Sequence, residues 1–244
     1  MALLTQDYYC PALGMASELR IQTPEAILRG EEKPRGTLFL LPPEGESGLS
    51  LLTGTKLAAL CEEYRVTALI PPCLQGCYTD MAFGYPFYQS LKFVREYIGN
   101  YLPGLAPEKG RTAIAGFGIG GFAALRWALE EPEFFFAAGS IAGRLDPAMA
   151  PQGYFTEKRL SDLFGTPEER LKKRGDFLSL CETSPHNRLF LFSAREDPGF
   201  ESTLLAAKAL GAKAKTATVQ GAASGKVCSD ALGEFFKFCL GGDS

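Results

Sequence analysis

The run Ala115-Gly116-Phe117-Gly118-Ile119-Gly120-Gly121 holds the chain's most chemically suggestive spacing, and two chemistries share it. Gly116, Gly118 and Gly121 match G-x-G-x-x-G, in which glycines let the backbone approach a dinucleotide pyrophosphate at a helix N-terminus. The same run fits G-x-S-x-G, the strained strand-to-helix elbow that exposes a nucleophilic serine. In that register Gly116, Gly120 and Gly121 are the small neighbours and Gly118 falls at the nucleophile. Glycine cannot attack a carbonyl. It does adopt an unfavourable backbone conformation without the ~1–3 kcal/mol that other residues incur there. The dinucleotide reading is short of its acidic partner about 20 residues on, because Glu133 precedes the next apolar run and Asp146 comes late.

Serine-type catalysis also needs a base, and the chain holds one histidine, His186. A single imidazole excludes a three-histidine zinc site and H-E-x-x-H chemistry. Cys73 and Cys77 have C-x₃-C spacing. Two thiols do not complete a tetrahedral metal site and redox pairs use C-x-x-C, so both read as packing residues. Cys228 has no nameable base beside it. Asp197, before Pro198-Gly199, reads as a turn residue or as a surviving catalytic acid. Tyr78, Thr79 and Asp80 read either as a pocket wall or as a cluster that fixes its own loop. Lys172-Lys173-Arg174 beside Glu168-Glu169 reads as a solvated helix face.

Composition narrows the function further. The 244 residues carry 25 Lys+Arg against 28 Asp+Glu, a net charge of -3, so neither nucleic acid nor an anionic membrane surface is an expected partner. Seven scattered cysteines, an odd number, suit reduced thiols in the cytoplasm better than a disulfide framework. Residues 1–7 lack the basic and apolar regions of a signal peptide. The longest apolar stretch, 134–143, is too short to span a bilayer. No metal or cofactor is called for.

The elements that must position these residues alternate along the chain. Residues 16–23, 37–41, 66–70, 112–115, 135–141, 189–192 and 215–219 read as strands. Residues 57–64, 87–101, 119–129, 203–210 and 227–240 read as helices, the first with Leu57, Leu60, Cys61 and Tyr64 at i, i+3, i+4, i+7. Unbroken apolar strands between helices imply a parallel sheet covered on both faces. The whole, 1–244, reads as one α/β domain. Its more polar stretch 144–185, with Pro147, Pro151, Pro167 and Pro185, reads as a small helical cap insertion.

Over residues 37–240 the chain resembles the tributyrin-esterase and S-formylglutathione-hydrolase (esterase D) group of α/β-hydrolases. Gly76-Cys77-Tyr78-Thr79-Asp80, followed by Gly84, Tyr88 and Leu91, is similar to the group's G-W-Y-T-D segment and its downstream aromatics. Leu40-Leu41-Pro42-Pro43 stands where the group has L-L-H-G before its oxyanion loop, and Arg195-Glu196-Asp197 resembles the turn that carries the triad acid. The resemblance implies the α/β-hydrolase fold, a mostly parallel central sheet with helices on both faces, and carboxylic ester hydrolysis.

The departures from that pattern fall on the chemistry. The group's nucleophilic serine is Gly118 here. Its base falls within 220–226, where Ala223 is the matching position and no histidine occurs. His186 precedes the acid and belongs at the opposite end of the sheet. Pro43 has no N–H to offer an oxyanion, and Glu44 brings a carboxylate that would repel one. The expectation is therefore an esterase-like homologue without catalysis, a pseudoenzyme with vestigial positions Gly118, Asp197 and Ala223. Its cleft, edged by Glu44, Cys77, Tyr78, Ile119, Asp197 and residues 220–226, would be free to take a small molecule. Three alternatives stand beside this one. The chain could be a carboxylesterase acting on short-chain acyl esters through non-standard groups. It could be a structural or regulatory subunit, as a homo-oligomer or with an active paralogue. It could also bind a dinucleotide through Gly116, Gly118 and Gly121.

Overall fold

The apolar runs pair edge to edge into one sheet, and the helices between them cover it. In chain order come β1 (Ala2–Cys10), β2 (Met15–Thr23), α1 (Glu25–Leu28), β3 (Gly36–Leu41), α2 (Leu49–Gly54), α3 (Leu57–Tyr64) and β4 (Val66–Ile70). They are followed by α4 (Phe87–Tyr101), β5 (Thr112–Phe117), α5 (Ile119–Glu130), β6 (Phe135–Ile141), α6 (Glu157–Phe164) and α7 (Pro167–Thr183). The chain closes with β7 (Leu189–Ala194), α8 (Phe200–Leu210), β8 (Ala214–Val219) and α9 (Gly225–Leu240). The computed structural model describes residues 1–46, 48–106, 111–149 and 154–240.

The eight strands lie in the order β1-β2-β4-β3-β5-β6-β7-β8. The hairpin β1–β2 is antiparallel, as is the β2–β4 pair, and the remaining pairs are parallel. Every residue of β3, β4, β5 and β7 is buried, as expected where helices cover both faces of a parallel sheet. One face carries a core with Val94 and Ile98 of α4, Trp127 of α5 and Phe177 of α7. The other packs Leu57 and Leu60 of α3 against Leu232, Phe235 and Phe236 of α9. Trp127 meets Phe39 and Phe135 edge-on at centroid distances of 5.4 and 5.0 Å, a favoured aromatic geometry.

The sequence did not lead us to expect β1 or α2. β1 is an edge strand in which exposed residues alternate with half-buried or buried ones and which includes Gln6 and Asp7, so it has no long apolar run. Its order comes from pairing with β2 along its full length. α2 is only six residues long and starts from Gly48 at φ 85°. Between β6 and β7 lie α6 and α7. The latter opens with a capping box between Thr166 and Glu169 and Pro167 in its first turn, a favourable helix start. Among the described residues no helix is long and apolar enough to cross a membrane.

Strand order fixes where a site can form. From β3 the chain moves to β4 on one side, and then returns to β5 on the other. Parallel sheets bind ligands outside the strand C-termini at such a reversal. The segments that leave that edge include the Pro42–Glu44 turn, the segment after β4, the Gly118 elbow, the loop after β6, the Asp197 turn and the segment after β8.

Candidate functional site

β5 ends at Phe117 and α5 begins at Ile119, so Gly118 alone turns the chain. Its φ of 54° and ψ of −121° lie where non-glycine residues are strained. The Gly118 amide donates to the Ile141 carbonyl at 3.3 Å, and its own carbonyl accepts from the amides of Gly121 at 3.1 Å and Arg144 at 2.9 Å. The elbow is thus clamped to the loop after β6.

The neighbouring glycines are explained by close packing. A Cβ on Gly116 would collide with the Gly120 carbonyl, one on Gly120 with the Leu41 carbonyl, and one on Gly121 with the Ser140 hydroxyl. These contacts account for Gly116 and Gly121 of the G-x-G-x-x-G spacing without a pyrophosphate, and the positive φ of the turn accounts for Gly118. Gly118 differs, because a Cβ there would meet only Pro43, with Cβ at 3.2 Å and Cα at 3.8 Å.

A cavity of about 380 Å³ opens over the elbow, and its lining includes Pro43, Glu44, Gly118, Ile119, Arg144, Tyr154, Asp197, Ala223 and Cys228. Gly118, Ile119, Glu44, Asp197 and Ala223, with Pro43 and Cys228, all singled out in the sequence, therefore meet in one place. Asp197 Oδ2 accepts from the Ala194 amide at 3.0 Å, and Oδ1 accepts from the Ala223 amide at 3.0 Å. Its carboxylate ties the end of β7 to the loop before α9. It acts as a turn residue, one of the two roles the sequence offered it.

Cys77 and Tyr78 do not line this cavity, contrary to expectation. Both have positive φ, 52° and 54°, and both are buried. The Tyr78 hydroxyl faces the carbonyls of Pro42 at 3.3 Å and Pro71 at 3.4 Å, holding the Pro42-Pro43 turn from behind. Asp80 Oδ1 accepts from the amides of Tyr88 and Gln89 at 2.9 and 3.1 Å. It caps α4 from outside the helix and fixes its loop, while Thr79 and Asp80 also line a separate cavity of about 300 Å³.

Tyr154 and Arg144 are among the lining residues that the sequence did not reveal. Tyr154 O–H donates to Glu44 Oε2 at 3.3 Å, and Arg159 stands 3.5 Å from Glu44 Oε1. The Arg144 guanidinium lies over the Tyr154 ring, 3.6 Å from its centroid. Arg144 Nη1 is buried without a hydrogen-bond partner among the described residues. A cation three residues past an apolar strand, at the sheet's ligand-binding edge, was the available signal.

Burial and neighbouring charge set the titration of the site. Burial, with the Asp197 carboxylate adding to it, pushes the Cys228 thiol up to about 11. Burial also pushes the Tyr154 phenol up to about 12, with Arg144 opposing and Glu44 assisting. Cys73 is pushed up to about 12 and Cys77 further, by burial first and then by Glu44. None of these thiols is an activated nucleophile. His186 is buried before β7, its Nδ1 accepting from the Arg188 amide at 3.3 Å, and burial pushes its pKa down. Phe192 pairs with Ile141, which pairs with Phe117 beside the elbow. His186 precedes Phe192 by six residues, a distance on the order of 20 Å along a strand.

Residues 70–225, well over half of the chain, match the Esterase family model, described as "Putative esterase". None of the curated proteins matches the chain. Among solved structures it is similar to FphF, the fluorophosphonate-binding serine hydrolase F of Staphylococcus aureus (TM-score 0.80, 15% identity, 98% of each chain covered). It is also similar to an S-formylglutathione hydrolase of Agrobacterium tumefaciens (TM-score 0.80, 16% identity, 98% of this chain and 94% of that one). A third is MPT51 (FbpC1) of Mycobacterium tuberculosis (TM-score 0.70, 17% identity, 98% of each chain). At these identities the likeness carries the fold alone. That fold is the α/β-hydrolase fold, and with the family match it establishes that the chain belongs to the Esterase family.

Proposed function

We propose that this chain is an esterase homologue without esterase activity, and that its cleft over Gly118 binds a small molecule rather than hydrolysing one. One observation carries the reading: the elbow has the strained backbone of a nucleophile turn, φ 54° and ψ −121°, with a glycine at its apex. Acyl transfer needs a nucleophile, a base in hydrogen-bond reach of it and donors for the oxyanion. Gly118 has no side chain, and no imidazole lines the cavity. Asp197, the acid of such a triad, is bonded instead to the backbone amide of Ala223.

The other candidate groups do not replace the missing ones. Cys228 is held protonated by burial and Asp197. Tyr154 donates its proton to Glu44, and the lining Ser50 hydroxyl donates to Glu46. Pro43 removes one backbone donor from the turn that supplies oxyanion contacts. In a serine protease such as subtilisin, loss of the nucleophile alone lowers turnover about 10⁶-fold. The open cavity of about 380 Å³ supports retained binding.

The test is hydrolysis of p-nitrophenyl butyrate together with labelling by a fluorophosphonate probe. The expected result is a rate equal to that without enzyme and no covalent adduct. Saturable turnover that the fluorophosphonate blocks would refute the proposal.

A further inference from the structure

We infer that the cleft over Gly118 is selective for a monocarboxylate with a small apolar body, and that the carboxylate is held by Arg144. The inference rests on the binding role proposed above and names the ligand class of that same cleft. Arg144 lies three residues past the end of β6, and its amide is bonded to the Gly118 carbonyl at 2.9 Å. The guanidinium is therefore anchored beside the elbow rather than carried on a free loop. It stacks on Tyr154, which lines the same cavity. Stacking restricts the guanidinium to one plane, which suits the planar two-point recognition of a carboxylate.

The charge pattern of the cavity decides the sign and size of the ligand charge. Glu44 is engaged by the Tyr154 hydroxyl and by Arg159. Both Asp197 oxygens accept backbone amides, and Glu46 accepts from Ser50. Arg144 forms no salt bridge within 4.0 Å among the described residues, and its Nη1 is a buried donor with no acceptor there. A buried unpaired donor of this kind is satisfied best by an ionised acceptor. The nearby Glu44 and Asp197 carboxylates disfavour a dianion such as a phosphate monoester. One negative charge balances one guanidinium. The rest of the lining, with Pro43, Leu51, Phe117, Ile119 and Pro198, suits an apolar body. The preferred ligand is thus an acid and not its ester, although esters are what active members of such a family would hydrolyse.

The experiment titrates the intact protein with phenylacetate, methyl phenylacetate and phenylacetamide, which share one body and differ in charge. Affinity is read by amide chemical-shift changes, for the wild type and for Arg144→Met and Arg144→Lys. Phenylacetate is expected to bind at least about tenfold tighter than the ester or the amide. Arg144→Met should remove that preference, and Arg144→Lys should restore part of it. Shifts in the wild type should centre on Ile119, Arg144 and Tyr154, which holds the inference open to test even if the methionine variant does not fold. Equal affinity for acid, ester and amide would overturn the charge selectivity and leave the binding cleft standing. Shifts centred on Phe177, which lines a separate cavity of about 300 Å³ beside α7, would overturn the assignment of the carboxylate to Arg144. Absence of binding by all three probes would overturn both readings. Conversion of the ester during the titration would overturn the inactive reading on which the inference rests.

Discussion

Gly118→Ser restores the side chain that a nucleophile elbow requires, and it should destabilise the protein without making it an enzyme. The serine Cβ must sit on a backbone at φ 54° and ψ −121°, which incurs about 1–3 kcal/mol for a non-glycine residue. It must also sit 3.2 Å from Pro43 Cβ, inside the optimal carbon separation of about 3.5–4.0 Å. Pro43 cannot retreat freely, because its ring fixes φ and the Pro42 carbonyl faces the Tyr78 hydroxyl. Against these costs, replacing glycine lowers the entropy of the unfolded chain, a gain of about 0.4–1 kcal/mol. A net loss near 2 kcal/mol corresponds to a fall in Tm of about 4–8 °C for a chain of this length.

The assay is thermal unfolding of the wild type, Gly118→Ser and Gly118→Ala at one protein concentration. Serine and alanine carry the same Cβ, so the two variants should fall together, within about 0.5 kcal/mol. Adding Pro43→Gly to each should reveal a coupling energy in a double-mutant cycle, because it removes the close neighbour. Gly118→Ser should still hydrolyse no p-nitrophenyl butyrate, since no imidazole lines the cavity and Asp197 is held by two backbone amides. An unchanged or higher Tm in both single variants would refute the strained geometry.

Two further outcomes follow from the buried titratable groups. With its thiol pushed up to about 11, Cys228 should react with iodoacetamide roughly 300-fold more slowly at pH 7.5 than a free cysteine of pKa about 8.5. The rate should rise about tenfold per pH unit while the protein stays folded, and labelling at the free-cysteine rate would contradict this. His186, the only histidine, is held below its ordinary pKa by burial. The unfolded chain therefore takes up a proton near pH 6.5 that the folded chain declines, and stability present above that pH is lost as pH falls toward the folded pKa. The stability slope between about pH 7 and 5.5 should flatten in His186→Gln, and an unaltered slope would refute the assignment.

Legibility in the sequence tracked how local each cause was. The elbow could be read because Gly116, Gly120 and Gly121 sit wherever a Cβ would strike the backbone or side chain of a neighbouring element, so a spatial constraint leaves a short linear signature. α4 could be read because Leu91, Val94 and Ile98 repeat at helical spacing and are all buried. β1 could not, because its order comes from cross-strand bonds to β2 rather than from its own composition. Arg144 and Tyr154 were missed for a similar reason. The Tyr154–Glu44 contact joins residues 110 apart, and no spacing rule spans that separation. Cys77 and Tyr78 were misplaced because a loop leaving the ligand-binding edge reads as a pocket wall. Two consecutive positive φ values instead accompany side chains buried in the core.

Asp197 shows why an acid in the right place is weak evidence of catalysis. Its two oxygens hold the Ala194 and Ala223 amides at 3.0 Å each, so removing it would leave two donors at the sheet edge without their charged acceptor. Hydrogen bonds to a charged group contribute about 1.5–3 kcal/mol. That alone gives a structural reason for an aspartate at this turn, with or without a histidine beside it. The same bonds limit what a repair could achieve. A histidine at position 223 would meet an acid already in position, and a serine at 118 would meet an elbow already bent. The serine would still press on Pro43, and the turn would still lack the N–H that Pro43 cannot supply. On the reading proposed above, the frame falls short of an esterase at three residues at once, and changing any one of them alone would leave the reaction without a nucleophile, a base or a full set of oxyanion donors.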